Sequence, residues 1–482
     1  MPNKPSVRFI SLGCPKNLVD SEVMLGHLTG VGYQVCPDNQ SNQAQADLFM
    51  VNTCCFIGEA EQESRDIIKQ AIDIRDTFRN QHPGQNGYKI VVSGCMAQRY
   101  AKRLNKDFNG QIDGIIGISE RDKVIDLCDS LLRSRNGVPS RHSSGRPRRN
   151  AGAIISGNNG QSKNIVYRAK SNAECRTDGQ RLRITPAHYA YLRIAEGCDN
   201  RCSYCIIPSL HGAYRSKPVD KMMAEASSLV SGGAKEINLI AQDISSYGKD
   251  IGSSLAELLK KLSCIKGLKW IRLLYTHPAH FTDELIDAIR DIDKVVKYVD
   301  LPIQHISDRM LSAMGRHTTS TQVRRLIDKI RQRIPGVFLR TSVIVGFPGE
   351  TARDFQELMD FIRDTEFERL GAFEYSREKD TPAYNMAHQV PARIKKQRLD
   401  KVMLLQQGIA FSQNQALKGK LMDAIIDGPV KNGLYLGRIY GDAPDVDGNI
   451  IIKSKSKLLS GDIVKIKVTG SKDYDLTGEF IL

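Results

Sequence analysis

The sequence predicts an α/β protein in three folded parts: an amino-terminal α/β domain with a parallel sheet, a central partial (β/α)6 barrel, and a small all-β barrel at the carboxyl end. Three observations carry this. Apolar strand-like runs alternate with helical ones from Val7 to Leu132, the pattern of a parallel sheet covered by helices. Six further strand-and-helix units run from Tyr191 onward. From Lys420 the chain turns to short strands broken by Gly, Asp and Asn, as in small closed barrels. The expected boundaries are 1–135, then a basic flexible linker or insertion over 136–185, then 186–415 and 416–482.

Composition fits a folded chain. The 482 residues, 41% hydrophobic and 26% charged, exclude disorder of the whole chain and provide ample core. The start MPNKPSVRFISLGC lacks the apolar stretch of a signal peptide, and no run reaches the roughly 18 apolar residues of a membrane span. A cytoplasmic location without membrane contact is therefore expected. Eleven cysteines, an odd number, argue against a disulfide framework and for metal ligation plus a few buried thiols. Cys36, Cys128 and Cys264 stand in no motif and read as core or surface residues. The net charge is +15, and Leu131–Thr185 alone holds twelve Lys or Arg against two acids. Such a segment suits RNA or ribosome contact, or is simply a solvated tether.

In the first domain the strands read as VRFISL, DLFMVNT, KIVVSG and GIIG, with helices over Asn17–Thr29, Gly58–Arg79, Ala97–Leu104 and Asp122–Leu132. Cys14 ends FISLGC, Cys54 ends LFMVNTC and Cys95 ends IVVSGC. In a parallel sheet the carboxyl ends of the strands share one edge, where open α/β folds bind their ligands. Three cysteines distant in sequence thus become neighbours able to hold one cluster. Three buried small residues is the other reading, since free cysteine is among the most buried types. Side chains of adjacent residues in an extended strand end point to opposite faces, so only one of Cys54 and Cys55 should reach such a centre.

The linker, NGVPSRHSSGRPRRNAGAIISGNNGQSKNIVYRAKSNAECRTDGQRLRITPAHY, shows no clear helical or strand period and reads as a mobile connector; Cys175 within it is not expected to be a ligand. After it, YLRIAEGCDNRCSYCIIP (Tyr191–Pro208) sets Cys198, Cys202 and Cys205 at C-x3-C-x2-C spacing. A four-iron four-sulfur cluster normally takes four thiolates, so a three-cysteine loop leaves one iron open to a substrate. A structural zinc knuckle completed by Cys175, His211 or Cys264 is the alternative, but zinc motifs usually bring two separated cysteine pairs, and the chain has no second C-x2-C.

The central strands read as the stretch near Tyr191, EINLIA, WIRLLY, YVDLPIQ, FLRTSVIVGF and LGAFEY. Between them lie helices over Lys221–Val230, Leu255–Leu262, Thr282–Ile289, Thr321–Arg333 and Ala352–Arg363. Barrels of this type place chemistry at the carboxyl ends of their strands, an edge that here holds Gln242, Asp243, Gln304, His305, Gly346 and Gly349. The two glycines admit either a close backbone approach to a ligand or a plain turn around Pro348. Arg393–Gln415 is helical in period and ends the barrel. The last strands read as LMDAIID, LYLGRIY, NIIIKS, DIVKIKVTG and GEFIL. Small barrels often bind RNA, yet few exposed aromatics are expected here, and Asp442, Asp445 and Asp447 make a protein partner with a basic surface at least as plausible.

The runs SLGCPKNLVDSE, VNTC and SGCMAQRY resemble the amino-terminal domain of the radical S-adenosylmethionine methylthiotransferases, and Pro15-Lys16-Asn17 after Cys14 resembles the branch that modifies a ribosomal-protein aspartate. The central cysteine loop, with Tyr204 before its last cysteine, looks like that of radical S-adenosylmethionine enzymes, and GRIYGDAPDVDG looks like the family's TRAM module. The resemblance implies two four-iron four-sulfur clusters, an auxiliary one on Cys14, Cys54 and Cys95 and a radical-generating one on Cys198, Cys202 and Cys205. By the QD, PIQH and GFPGE motifs it implies an S-adenosylmethionine pocket formed by Tyr204, Gln242, Asp243, Gln304, His305, Gly346 and Gly349. The substrate implied is a small-subunit ribosomal protein, with an electron donor as further partner. Cys55 departs from the family, which usually has glycine there. His211 and Lys217 in HGAYRSK depart from its arginines, and roughly 143–180 lies outside the resemblance. The same chemistry on a tRNA base is the closest alternative, followed by a non-catalytic iron-sulfur RNA-binding or electron-transfer protein; the latter is opposed by two cysteine sets that each leave an iron open.

Overall fold

A computed structural model describes residues 4–36, 46–136, 153–156, 164–167, 178–179 and 181–481. The chain forms two compact units. One spans 1–184 with 197–199 and 206–214; the other comprises 185–196, 200–205 and 215–482.

In the first unit, β1 (Ser6–Ser11), α1 (Pro15–Gly30), β2 (Gln34–Val35), β3 (Leu48–Thr53), α2 (Gly58–Gln81), β4 (Lys89–Gly94), α3 (Cys95–Asp107), β5 (Gly114–Ile116) and α4 (Val124–Asn136) alternate as the sequence predicts, save for the two-residue β2, which it does not announce. The sheet runs β2-β1-β3-β4-β5 with parallel pairs throughout. Both faces are covered, so β3 is buried at every position and shows no polar alternation. Leu48 and Met50 pack with Leu25 and Leu28 of α1 and Leu127 of α4; Phe49 and Val51 pack with Ile68 and Ile72 of α2 and Ala101 and Leu104 of α3.

The connector expected over 136–185 is corrected in part. Among its described residues, Ala153–Ser156 (β6) and Asn164–Tyr167 (β7) are strands, with β7 parallel to β5 and β6 antiparallel to β7. The runs AIIS and NIVY are rich in β-branched residues, which favour strands, but four residues are too few to show a period. Asp178, fully buried, pairs with Arg121 at 3.0 Å. Cys175 lies outside the described residues.

The second unit begins with β8 (Tyr189–Arg193) and β9 (Ala195–Glu196), the latter pairing with β10 (Arg215–Ser216). There follow α6 (Val219–Ser231), β11 (Glu236–Ile240), α7 (Leu255–Ser263), β12 (Trp270–Leu273), α8 (Asp283–Asp291), β13 (Val295–Asp300), α9 (Asp308–Ala313), α10 (Ser320–Arg333), β14 (Phe338–Val345), α11 (Ala352–Thr365), β15 (Arg369–Glu374) and α12 (Ala392–Ala416); α5 (Ile207–His211) belongs to the first unit. The sheet is the expected six parallel strands, ordered β8-β11-β12-β13-β14-β15. Helix starts are fixed by local chemistry: Ser254, Thr282, Thr319 and Thr351 each accept an amide hydrogen of the first turn, which satisfies donors the helix itself cannot.

The last strands, β16 (Leu421–Lys431), β17 (Leu434–Ile439), β18 (Ile450–Lys453), β19 (Ile463–Lys472) and β20 (Asp475–Phe480), close into a barrel ordered β16-β17-β18-β20-β19. The acids expected to face a partner face the central barrel instead. Asp442 accepts from Arg369 Nε at 2.8 Å, Asp445 from Tyr189 at 3.0 Å, and Asp447 from Tyr298 at 2.7 Å and Arg340 at 3.2 Å. Glu236 lies between Arg272 at 2.8 Å and Arg438 at 2.7 Å, all three buried. Asp427 takes His188 at 2.7 Å. The reason is the loop after β17: Tyr440 bonds Gly336 and Gly441 packs on Phe338, which sets this stretch against the amino-terminal end of the barrel strands. No helix among the described residues is long and apolar enough to cross a membrane.

Candidate active site

In the first unit, Cys14, Cys54 and Cys95 follow the carboxyl ends of β1, β3 and β4, three neighbouring strands. Cys14 caps α1, Cys54 directly follows β3, and Cys95 opens α3. Each of the outer two follows a glycine that nothing larger can replace. Gly13 has φ +87°, and a Cβ there would sit 2.6 Å from Cys54 Cβ; Gly94 has φ +89° and would meet Asn52 Oδ1 at 2.3 Å. Asn17 ties two of the strand ends together, donating to the carbonyls of Leu12 at 2.6 Å and Thr53 at 3.2 Å, while Asn52 donates to the Asn17 carbonyl at 2.7 Å.

The candidate donor set is thus three sulfurs, with Cys14 and Cys95 at helix starts. Burial pushes Cys54 and Cys95 up, and the neighbouring cysteines push further; a bound metal reverses that balance by holding thiolate outright. Among the described residues no three His, Cys, Asp or Glu crowd tightly enough to hold a single metal ion, and a four-iron cluster, which spaces its thiolates across a cubane, does not need such crowding. Cys55 turns the other way. It is fully buried among Val51, Ile68 and Val92, and burial pushes its thiol up to about 12.

The C-x3-C-x2-C loop spans the division of units, Cys198 falling with the first, Cys202 and Cys205 with the second. Within the first, the Cys198 amide donates to Gly212 at 3.1 Å, and a Cβ on Gly197 would meet the Ala213 carbonyl at 2.0 Å. Within the second, Ser203 binds the carbonyls of Met314 at 2.9 Å and Ala313 at 2.8 Å, and Ala383 donates to Ser203 at 2.9 Å. Arg316, buried, donates to Cys202 Sγ and to the Tyr204 hydroxyl, each at 3.5 Å. Tyr204 packs against Met310, Met314, Phe347, Tyr375 and Ala383. Of the candidate zinc ligands, Cys264 is exposed at the end of α7, on the side of the barrel away from the strand carboxyl ends.

The remaining candidates follow the carboxyl ends of β11, β13 and β14. Gln242 Oε1 is buried with no hydrogen-bond partner, and His305 Nε2 and Glu350 Oε1, both buried, face each other at 3.8 Å, beyond hydrogen-bond distance. His305 Nδ1 accepts from the amides of Ile306 at 2.9 Å and Ser307 at 3.0 Å, which leaves the ring proton on Nε2, the nitrogen that faces Glu350. Gln304 has φ +69° and inserts beside Val343. Asp243 accepts from Asn200 at 3.0 Å and Ser246 at 3.0 Å and meets His280 at 2.6 Å. Burial alone raises its carboxyl, but the His280 bond with the nearby histidines and Asn200 holds it down at about 2. The structure explains Gly346 locally, since its φ is +72° and a Cβ would strike Lys395 of α12 at 2.4 Å. Gly349, φ +81°, where a Cβ would meet only Arg309 at an ordinary 3.6 Å, is a turn. Lys217, fully buried, lies 3.7 Å from Glu225.

Sequence reasoning missed His277, His280 and Arg316. His277 is stacked on His280 at 5.0 Å, and burial, with Arg316 adding, lowers it to about 3; its Nδ1 accepts from Ala279 and its buried Nε2 has no partner. The run THPAH after WIRLLY was a usable signal, because it follows a predicted strand at the functional edge. Arg316 follows α9, which the periodicity did not reveal.

The unoccupied polar atoms line the edge at which such barrels bind ligands, and the chain matches known proteins accordingly. Residues 192–362 match the radical SAM superfamily, 6–117 the Uncharacterized protein family UPF0004, and 419–481 the TRAM domain. Among solved structures, the fold is similar to TsrM from Kitasatospora setae, a radical S-adenosylmethionine methyltransferase solved with cobalamin and an iron-sulfur cluster, at TM-score 0.52 and 17% identity over 79% of this chain and 74% of that one. The chain is 43% identical to the ribosomal protein uS12 methylthiotransferase RimO of Geotalea uraniireducens and 42% identical to that of Geobacter sulfurreducens, in each case over 99% of both chains. That of Acetivibrio thermocellus is 39% identical, again over 99% of both. At such identity over its whole length, the chain belongs to the ribosomal protein uS12 methylthiotransferase family.

Proposed function

We propose that this radical S-adenosylmethionine methylthiotransferase attaches a methylthio group to an aspartate of ribosomal protein uS12. The observation that carries the reading is the pair of three-cysteine sets, Cys14, Cys54 and Cys95 at neighbouring strand ends and Cys198, Cys202 and Cys205 in one loop, each one thiolate short of a closed cluster. When bound, the two clusters and S-adenosylmethionine supply one-electron cleavage of the sulfonium, hydrogen abstraction from an unactivated carbon, and the sulfur.

The protein's own groups do the rest. Tyr204, Phe347 and Tyr375 form an apolar wall that excludes water. Gln242 Oε1, which has no hydrogen-bond partner, and the buried His305 Nε2 and Glu350 Oε1, 3.8 Å apart and without hydrogen bonds, offer an acceptor, a donor and a carboxylate to the cofactor's polar groups, and a buried polar atom without a hydrogen bond is costly unless a ligand provides one. Asp243, fixed by His280, Ser246 and Asn200, orients the loop that carries Cys202. Gly346 and Gly349 shape the turn that brings Glu350 under the amide of Phe347 at 3.1 Å.

An electron donor must reduce the radical-generating cluster, and the basic segment within 131–185 is proposed to contact ribosomal RNA. The test is mass spectrometry of small-subunit ribosomal proteins from cells with and without the gene. A methylthio mass added to uS12 in a gene-dependent way is expected. Its appearance on a tRNA nucleoside, with uS12 unmodified, would assign the enzyme to the other branch.

A further inference from the structure

Buried arginines of the second unit have carboxylate partners: Arg193 with Glu196 at 3.6 Å, Arg272 with Glu236 at 2.8 Å, Arg369 with Asp442 at 2.6 Å, and Arg438 with Glu236 at 2.7 Å. Arg316 differs. It is 4% exposed, yet among the described residues no carboxylate lies within ion-pair distance. Its contacts are Cys202 Sγ at 3.5 Å, the Tyr204 hydroxyl at 3.5 Å and the Pro302 carbonyl at 2.6 Å, and its Nε has no partner. A buried guanidinium, which never loses its charge, is strongly destabilising unless a counter-charge faces it. None of its three contacts is a carboxylate.

We propose that Arg316 is the counter-charge of the iron-sulfur cluster bound at Cys202, and that by this charge and its N–H···S bond it raises the reduction potential of that cluster. The inference rests on the reading that Cys198, Cys202 and Cys205 are the ligands. A four-iron cluster on three thiolates is an anion, and reduction adds one more negative charge. A fixed cation at the ligand sulfur therefore stabilises the reduced state more than the oxidised one, and both net charge and hydrogen bonds to sulfur set such potentials. The same guanidinium holds Tyr204, so the loop and the charge are fixed together. Arg316 is thus a positioning and tuning residue acting through Cys202.

The test uses the full chain carrying Cys14→Ala, Cys54→Ala and Cys95→Ala, so that one cluster is observed, with Arg316→Gln and Arg316→Lys added separately. Iron per chain is measured, and reduction is followed by electron paramagnetic resonance at controlled potential. With about four irons bound, Arg316→Gln is expected to lower the reduced-to-oxidised ratio at least tenfold at the parent midpoint, ~59 mV for a one-electron couple. Arg316→Lys, which keeps the charge, should recover most of the shift. A fully loaded Arg316→Gln cluster with an unchanged midpoint overturns the proposal. If Arg316→Gln binds no iron, the lysine variant decides: a loaded cluster with a near-parent midpoint supports the charge role, whereas loss of iron there too makes Arg316 a purely structural support. Retention of iron by Cys202→Ala overturns the ligand reading itself, and the inference falls with it.

Discussion

At the scale of single residues, the proposed function has the two cysteine sets divide the labour: radical formation would need only a cluster on Cys198, Cys202 and Cys205, whereas sulfur insertion would also need one on Cys14, Cys54 and Cys95. Cys198→Ala should abolish S-adenosylmethionine cleavage. Cys14→Ala should still release 5′-deoxyadenosine without thiolated product, and full product formation by that variant would show the auxiliary ligands to be misassigned. The adjacent pair separates as well. Cys54 lies against Gly13 while Cys55 fills the core beside Ile68, so Cys55→Gly should keep its iron but lose roughly 1–3 kcal/mol of stability as a buried side chain is removed. Iron analysis and chemical denaturation read the two effects independently; loss of about half the iron in Cys55→Gly, with retention in Cys54→Ala, would reverse the assignment.

At the scale of elements, the contact between the terminal barrel and the central strands is an ionic layer whose members depend on one another. Glu236→Ala leaves Arg272 and Arg438 buried without that carboxylate, and breaking a buried pair typically costs roughly 3–5 kcal/mol. The exposed pair Lys465–Asp423, at 71% and 49% side-chain exposure, is the control: Asp423→Ala should change stability by less than about 1 kcal/mol. Urea unfolding of the two variants should separate them clearly, and equal effects would mean that the layer is not tightly formed. Truncation after Gln415 uncovers Arg272, Arg340 and Arg369 together. It should destabilise the central barrel and with it abolish S-adenosylmethionine cleavage.

For the whole molecule, charge is concentrated, with twelve Lys or Arg against two acids over Leu131–Thr185 in a chain of net +15. Deleting 143–180 would also remove β6, β7 and the Asp178–Arg121 pair, so the charge is better tested alone. Replacing Arg141, Arg146, Arg148 and Arg149 by Gln should leave modification of isolated uS12 nearly unchanged. With assembled ribosomal particles the reaction should slow at low salt, and the deficit should shrink as salt screens long-range attraction. Slowing that persists at high salt, or that appears with the isolated protein, would place those arginines in specific recognition.

Much of the chain was legible because its signals are local. Six strand-helix units, four cysteine-bearing segments and a run of short terminal strands carry their period or spacing within a few residues, and the glycines before Cys14 and Cys95 announce turns that only glycine makes. The sequence by itself thus determined the fold class and the places of Cys14, Cys54 and Cys95 after the ends of neighbouring strands. Tertiary structure alone decided where charges find partners. Asp442, Asp445 and Asp447 look like a surface in sequence but are consumed by Arg369, Tyr189 and Arg340, lying 73, 256 and 107 positions away. Short strands such as Ala153–Ser156 exist because a sheet edge accepts them, not because their own pattern demands it. Arg316, remote from Cys202 by 114 positions, shows its meaning only once folding has buried it without a carboxylate, since the cost of an unpaired charge depends on the surroundings the whole chain creates.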